Sequence, residues 1–312
     1  MKKMLLAFYF SILFLIPFHF SYAASDTSQF SHGRIYFNCQ NENLKKKSPN
    51  SLDVCVLDKV IPSSDITYFQ ALKAIYPDLQ LSGKATIRSA VRVEIQGMDE
   101  SAKPGETIST SPGQSFDLNG NSRTFLYYSM AQRKNFSQLI ILSDGGGDMP
   151  VLGLFQLTLQ LKLLDLIHVD LDRWVSMGSF LFDVKENSPL FILAASHNNS
   201  SQAYVLSSLW IILHDKLHQV YDGPNLSGQR MELQDCRTHA EIKKIKTLAS
   251  QHAGFADISL ELSRSKICTN KKTGKDIKLQ EKIYPATLIW DDIKNKYVGG
   301  SKSFERESPF QP

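Results

Sequence analysis

The chain has 312 residues, 42% of them apolar and 21% charged, with 35 Lys or Arg against 31 Asp or Glu. That supply of hydrophobes excludes a disordered chain, 17 Gly exclude collagen, and a net charge of +4 is too small for a nucleic-acid binder. One or two globular domains are expected.

Residues 1–23 have the layout of a secretory signal: Lys2 and Lys3, an apolar run over 4–18, then small residues at Ser21 and Ala23. Cleavage is expected after Ala23. The run is interrupted by Ser11 and Pro17 and reaches roughly 22 Å, short of a ~30 Å hydrocarbon core, so no transmembrane anchor is expected. The predicted location is periplasmic or secreted. In an oxidising compartment four cysteines read as two disulfides. Cys39 and Cys55 stand 16 positions apart, Cys236 and Cys268 stand 32 apart, and the two groups are far from each other, so local pairing is the simplest of three connectivities.

Residues 24–33 are polar and read as a flexible lead-in. A small α+β part is expected over 34–97: a strand through Ile35, Phe37 and Cys39, a partner within 54–60, and a helix capped by Ser64 or Asp65 that Pro77 stops. Alternation from Ile87 to Ile95 predicts another strand. Residues 98–121 are rich in Gly, Ser and Pro and read as a loop or linker.

From 122 to 298 short apolar runs recur every 8 to 15 residues between turn residues, which predicts a mainly β (α+β) protein: an antiparallel meander, a sandwich or irregular propeller-like sheets. Residues 154–163 read as one strand, with Phe155, Leu157, Leu159 and Leu161 on one face. Asp215 and Lys216 read as a turn between two strands. Ile242, Ile245 and Leu248 recur at helical spacing opposite Lys243, Lys244 and Lys246, which predicts a helix over 241–252. Strand patterns resume through Ile258, Leu260 and Leu262 and again up to Trp290, and 299–312 reads as a flexible tail.

Two constellations carry candidate chemistry. Asp144 and Asp148 flank three glycines directly after an apolar strand; the carboxylates are candidates for Ca²⁺ or general acid–base work, and the same sequence suits a hairpin turn. His168, Asp170 and Asp172 alternate along one strand and are candidate ligands if their face lines a cleft, or simply a solvated edge. No motif requires a cofactor, and Ca²⁺ is the ion the Asp144 and Asp148 carboxylates would suit. Residues 241–282 hold ten Lys or Arg against five Asp or Glu, a solvated face or a surface for an anionic polymer. The expected function is a non-catalytic binding or envelope-associated module that meets an extracytoplasmic protein or envelope polymer. A secreted hydrolase or metal-dependent enzyme built on the Asp144 to Asp148 loop is the alternative.

Overall fold

The computed structural model describes residues 30–37, 39, 53–81, 84–86, 91–95, 107–108, 115–117, 125–144, 150–170, 175–198, 203–221, 228–231, 236–270 and 272–306. The leader and the loop around Asp148 lie outside them, as does Asp172.

The N-terminal third supplies β1 (Phe30–Tyr36), β2 (Val54–Cys55), helix α1 (Tyr68–Ile75), β3 (Lys84–Thr86), β4 (Val91–Ile95), β5 (Thr107–Ile108) and β6 (Ser115–Asp117). Next come β7 (Phe125–Gln132), β8 (Ser137–Asp144), β9 (Val151–Leu157), β10 (Leu161–Asp170), β11 (Val175–Met177), β12 (Phe182–Lys185), β13 (Ser188–Asn198), β14 (Ala203–Leu213) and β15 (Lys216–Tyr221). The last group is β16 (Gly228–Met231), β17 (Cys236–His252), β18 (Phe255–Thr269), β19 (Asp276–Asp291), β20 (Lys296–Gly300) and α2 (Lys302–Arg306). The protein is therefore mainly β, as its alternating apolar runs indicate.

Three sheets stack on one another. The first has eight strands in the order β2-β1-β7-β8-β9-β10-β4-β5. The middle sheet orders β11-β13-β14-β15, with β12 also on β13, and the outer sheet is the meander β16-β17-β18-β19-β20. One core lies between α1 and the first sheet, with Ala71, Leu72 and Ile75 against Leu139, Ile141 and Phe155. A second joins the opposite face, Ile140, Leu142, Leu152 and Ile167, to Phe191, Leu193 and Trp210 of the middle sheet. A third joins the far face of that sheet, Leu190, Ile192, Leu209 and Ile211, to Ile242, Leu260, Leu262, Tyr284 and Leu288 of the outer sheet. The middle strands thus bury both faces, which is why 190–195 and 209–212 are continuous apolar runs rather than alternating ones.

Polar contacts fix how the first two layers stack. Arg133, in the β7–β8 turn, donates two 2.6 Å bonds to both carboxylate oxygens of Asp183 in β12. Asp165 accepts from the backbone N–H of Leu217 at 2.9 Å, and Ser129 Oγ from that of Phe180 at 3.0 Å. Asp165 follows a bulge between Leu163 and Asp165, which puts it on the same face as Ile167 and Val169.

The structure changes several expectations. Helix α1 is capped by Thr67, not Ser64 or Asp65: Thr67 Oγ1 accepts from the N–H of Gln70 while Gln70 Oε1 accepts from that of Thr67. Ser64 Oγ instead accepts from Ile66 N–H in the preceding turn. Gly153 lets the helix approach, because a Cβ there would meet Ile75 Cδ1 at 2.8 Å. Residues 154–163 are two strands joined at a tight turn, and Leu159, 97% exposed, sits in that turn. Residues 241–252 are strand, not helix. A bulge at Lys243 pairs Ile242 with Leu262 and Ile245 with Leu260, so two core-facing residues fall three positions apart and imitate a helical face. The lead-in already enters β1 at Phe30, which pairs with Ala131. The tail is not free through its length: α2 buries Phe304, edge-on to Tyr284 at 5.5 Å and beneath the Arg264 guanidinium at 4.9 Å. Strands β1 and β4 pair with β7 and β10, so the first sheet draws on chain from both sides of 98–121.

Both disulfides form with the local pairing, Cys39 to Cys55 and Cys236 to Cys268. Among the described residues no helix is long and apolar enough to cross a membrane.

The Arg133 side chain is only 8% exposed, so removing its partner leaves a cation in the inter-sheet seam. Asp183→Ala is expected to cost about 3 kcal/mol in denaturant unfolding, and more than Asp183→Asn. A loss below about 0.5 kcal/mol would show that the pair does not hold the layers.

Candidate functional site

The backbone gathers part of the sequence-predicted acid and histidine set at one end of the first sheet. Strand β8 ends at Asp144 and β10 ends at Asp170, two strands apart and running the same way. Ser143, Val151, His168 and Val93 form one row across β8, β9, β10 and β4. His168 is 1% exposed in the middle of this row, so the solvated-edge account of that strand is wrong: β10 is flanked by β9 and β4. Tyr76, at the end of α1, is buried, and burial pushes its phenol well above the usual range. Among the described residues no three of His, Cys, Asp and Glu gather into a metal-ligating group.

At the opposite end of the same sheet a cleft of about 270 Å³ opens between three turns. Gln138, Lys185, Glu186, His214 and Asp215 supply its polar lining. His214 and Asp215 form a two-residue turn with φ of 50° and 60°, the geometry of a type I′ hairpin. Gln138 is already held by Arg133 and by the carbonyl of Asn187. The Lys185 ammonium lies 4.6 Å over the Phe255 ring. Phe255 stacks on Trp290, and Trp290 meets Tyr297 edge-on at 5.3 Å, so this aromatic series is core rather than a sugar platform.

The most open feature is the outer sheet. Strands β17, β18 and β19 have 17, 15 and 16 residues, about three times the usual strand length. Near Asp291 they lie on the middle sheet; toward Asp276 β16 covers the β17 side and itself lies beside β14, while the β19 side is left as an open arm. Six residues of β18 beyond Ser263 carry the arm on by about 20 Å. Strand β20 pairs with β19 only from Thr287 to Asp291. Among the described residues no strand pairs with 276–283 on that side, and none of these eight residues is buried. Ile277, Leu279 and Ile283 are 44%, 60% and 49% exposed. The disulfide Cys236 to Cys268 joins directly opposed residues of β17 and β18 within the arm.

Charge pairs lace the solvent face of the arm. Glu241 meets Lys243 at 2.5 Å and His239 at 3.7 Å; Glu281 accepts from Ser263 at 2.8 Å and from Lys278 at 3.0 Å; Asp276 is held by Arg237. His239, together with Lys243 and against the effect of burial, pulls the Glu241 carboxyl down to about 2. Bonds from Ser263 and Lys278 lower Glu281 likewise, and Arg237 lowers Asp276. The sequence displays this charge cluster but not the open edge, because which strand lacks a neighbour is decided by pairings remote in sequence.

No protein-family model, curated protein or solved structure matches this chain.

A carboxyl lowered on folding stabilises the fold above its unfolded value near 4.3, and that contribution is lost as pH falls toward the folded value. Glu241 is a third exposed, so after solvent screening its share is about 1 kcal/mol. Glu241→Gln should lower stability at pH 7 by about that amount and match the parent at pH 2, read from denaturant midpoints across pH. Parallel curves at all pH values would contradict this.

Proposed function

We propose that this is an exported, non-catalytic binding module that accepts an extended segment of an extracytoplasmic protein along β19. The observation that supports this most is the unpaired stretch 276–283: eight exposed strand residues, bulged at Leu279, with no strand beside them on the outer side among the described residues. Such an edge supplies a row of hydrogen-bonding groups that another strand can complete, while Ile277, Leu279 and Ile283 supply apolar contact. Export is supported by the leader pattern of residues 1–23 and by the two disulfides, which persist in oxidising compartments.

The test has two parts. Protein recovered from the exported fraction should begin at Ala24 and contain no alkylatable thiol; an intact leader with reactive thiols would refute the export half. A photo-crosslinking residue at Leu279 should capture a partner in the producing cells, with β19 amides protected in the adduct, while one at exposed Leu159 captures none. Adduct at Leu279 no greater than at Leu159 would refute the binding half.

A second reading, a hydrolase or Ca²⁺-dependent enzyme using Asp144 and Asp148, draws support from the shared sheet end of Asp144, His168 and Asp170. It requires Ca²⁺ to raise the melting temperature of the parent protein, and Asp144→Ala with Asp148→Ala to abolish that rise. No rise in the parent would remove this reading.

A further inference from the structure

Charge along the chain is very uneven. Residues 264–283 hold seven Lys or Arg and two Asp or Glu, a net +5, so the other 292 residues together carry −1 of the total of +4. Both acids in this stretch are already engaged, Asp276 by Arg237 and Glu281 by Lys278 and Lys243. The positive charge lies along and beside the open edge, at Lys272, Lys275, Lys278 and Lys282.

We infer that the segment accepted by β19 is acidic, carrying both carboxylates and aliphatic side chains over six to eight residues. The inference rests on the strand-accepting reading above and names the chemistry of the partner. Its length follows from the open edge, 276–283, which Pro285 closes because it has no N–H to donate. The composition follows from the edge itself: Lys278 and Lys282 call for anions and Ile277, Leu279 and Ile283 for aliphatic contact within one short segment, while the bulge at Leu279 keeps the edge from imposing a strict alternation.

Two other occupants fit less well. A second copy would bring two edges with the same lysines, Lys278 and Lys282, against each other, and like charges across a strand pair destabilise it. An anionic membrane would need apolar groups at the outer turn, but 270–275 reads Asn, Lys, Lys, Thr, Gly, Lys, and the aliphatics lie along a strand whose unpaired backbone is costly to bring into hydrocarbon.

The experiment uses the mature protein and two capped octapeptides, (Glu-Val)4 and (Lys-Val)4, with binding read by fluorescence anisotropy and β19 protection by hydrogen exchange. The expected result is at least tenfold tighter binding of the Glu peptide, slowed exchange across 277–283, and weakening with added salt. Lys278→Gln with Lys282→Gln should erase most of the preference, and Lys272→Glu with Lys275→Glu, in the exposed turn, should reduce it without depending on the Glu281 pair. Equal protection by both peptides overturns the acidic assignment and leaves strand acceptance standing. Protection by neither overturns both. Glu-peptide binding without β19 protection, or binding to phosphatidylglycerol vesicles over phosphatidylcholine vesicles with no peptide preference, assigns the charge to simple adsorption or to a lipid surface and overturns the inference.

Discussion

A sheet buried on both faces constrains everything around it. Strands β13 and β14 present Phe191, Leu193 and Trp210 to one neighbour and Leu190, Ile192, Leu209 and Ile211 to the other, so neither neighbour can be removed without wetting a full apolar face. Each large side chain returned to water costs about 1.5–3 kcal/mol, which makes the three-sheet stack one cooperative unit across these cores. Apolar contact is not directional, however. The stacking angle is fixed by the bidentate Arg133 to Asp183 pair, by Asp165 on the N–H of Leu217 and by Ser129 on that of Phe180, all between the first and middle sheets.

The texture of the sequence reports depth in this stack. Continuous runs such as 139–142 and 190–195 belong to strands covered on both sides, whereas the clean alternation of 284–290 belongs to the outer sheet with one wet face. The disulfides were legible for a local reason, close spacing around turns, and the turn expected at Asp215 and Lys216 falls one residue earlier, at His214 and Asp215. The failures share a physical cause. Bulged strands and tight turns change the period of a pattern without changing its residues, so Ile242 and Ile245 looked helical and Leu159 looked like a strand residue. The cap of α1 was misplaced because Ser64, Asp65 and Thr67 all suit a helix start, and only the reciprocal bonds with Gln70 decide.

Function was less legible than fold. Sequence motifs drew the eye to acids and histidines, and the register does bring Asp144, His168 and Asp170 to one sheet end, with His168 deep inside it. The lysine-rich stretch near the C-terminus is visible in the composition, where it suits a solvated face or a surface for an anionic polymer. Its meaning changes once β20 is seen to stop at Thr287, because the same lysines then flank a strand with one open side.

The arm also connects the site to the compartment. Residues 276–283 contribute no burial that would resist fraying. What holds the arm in register is the charge ladder on its face and the covalent link between Cys236 and Cys268, which constrains the unfolded chain where packing is absent. An edge that is to accept a strand must be ordered before the partner arrives, or the partner bears the entropy of ordering both. Reduction of that disulfide would therefore weaken the arm while leaving the stacked sheets, whose stability comes from their cores, largely intact. In this sense the lysines and the disulfide perform complementary tasks: one keeps the edge from pairing with its own kind, and the other keeps it ready for a different one.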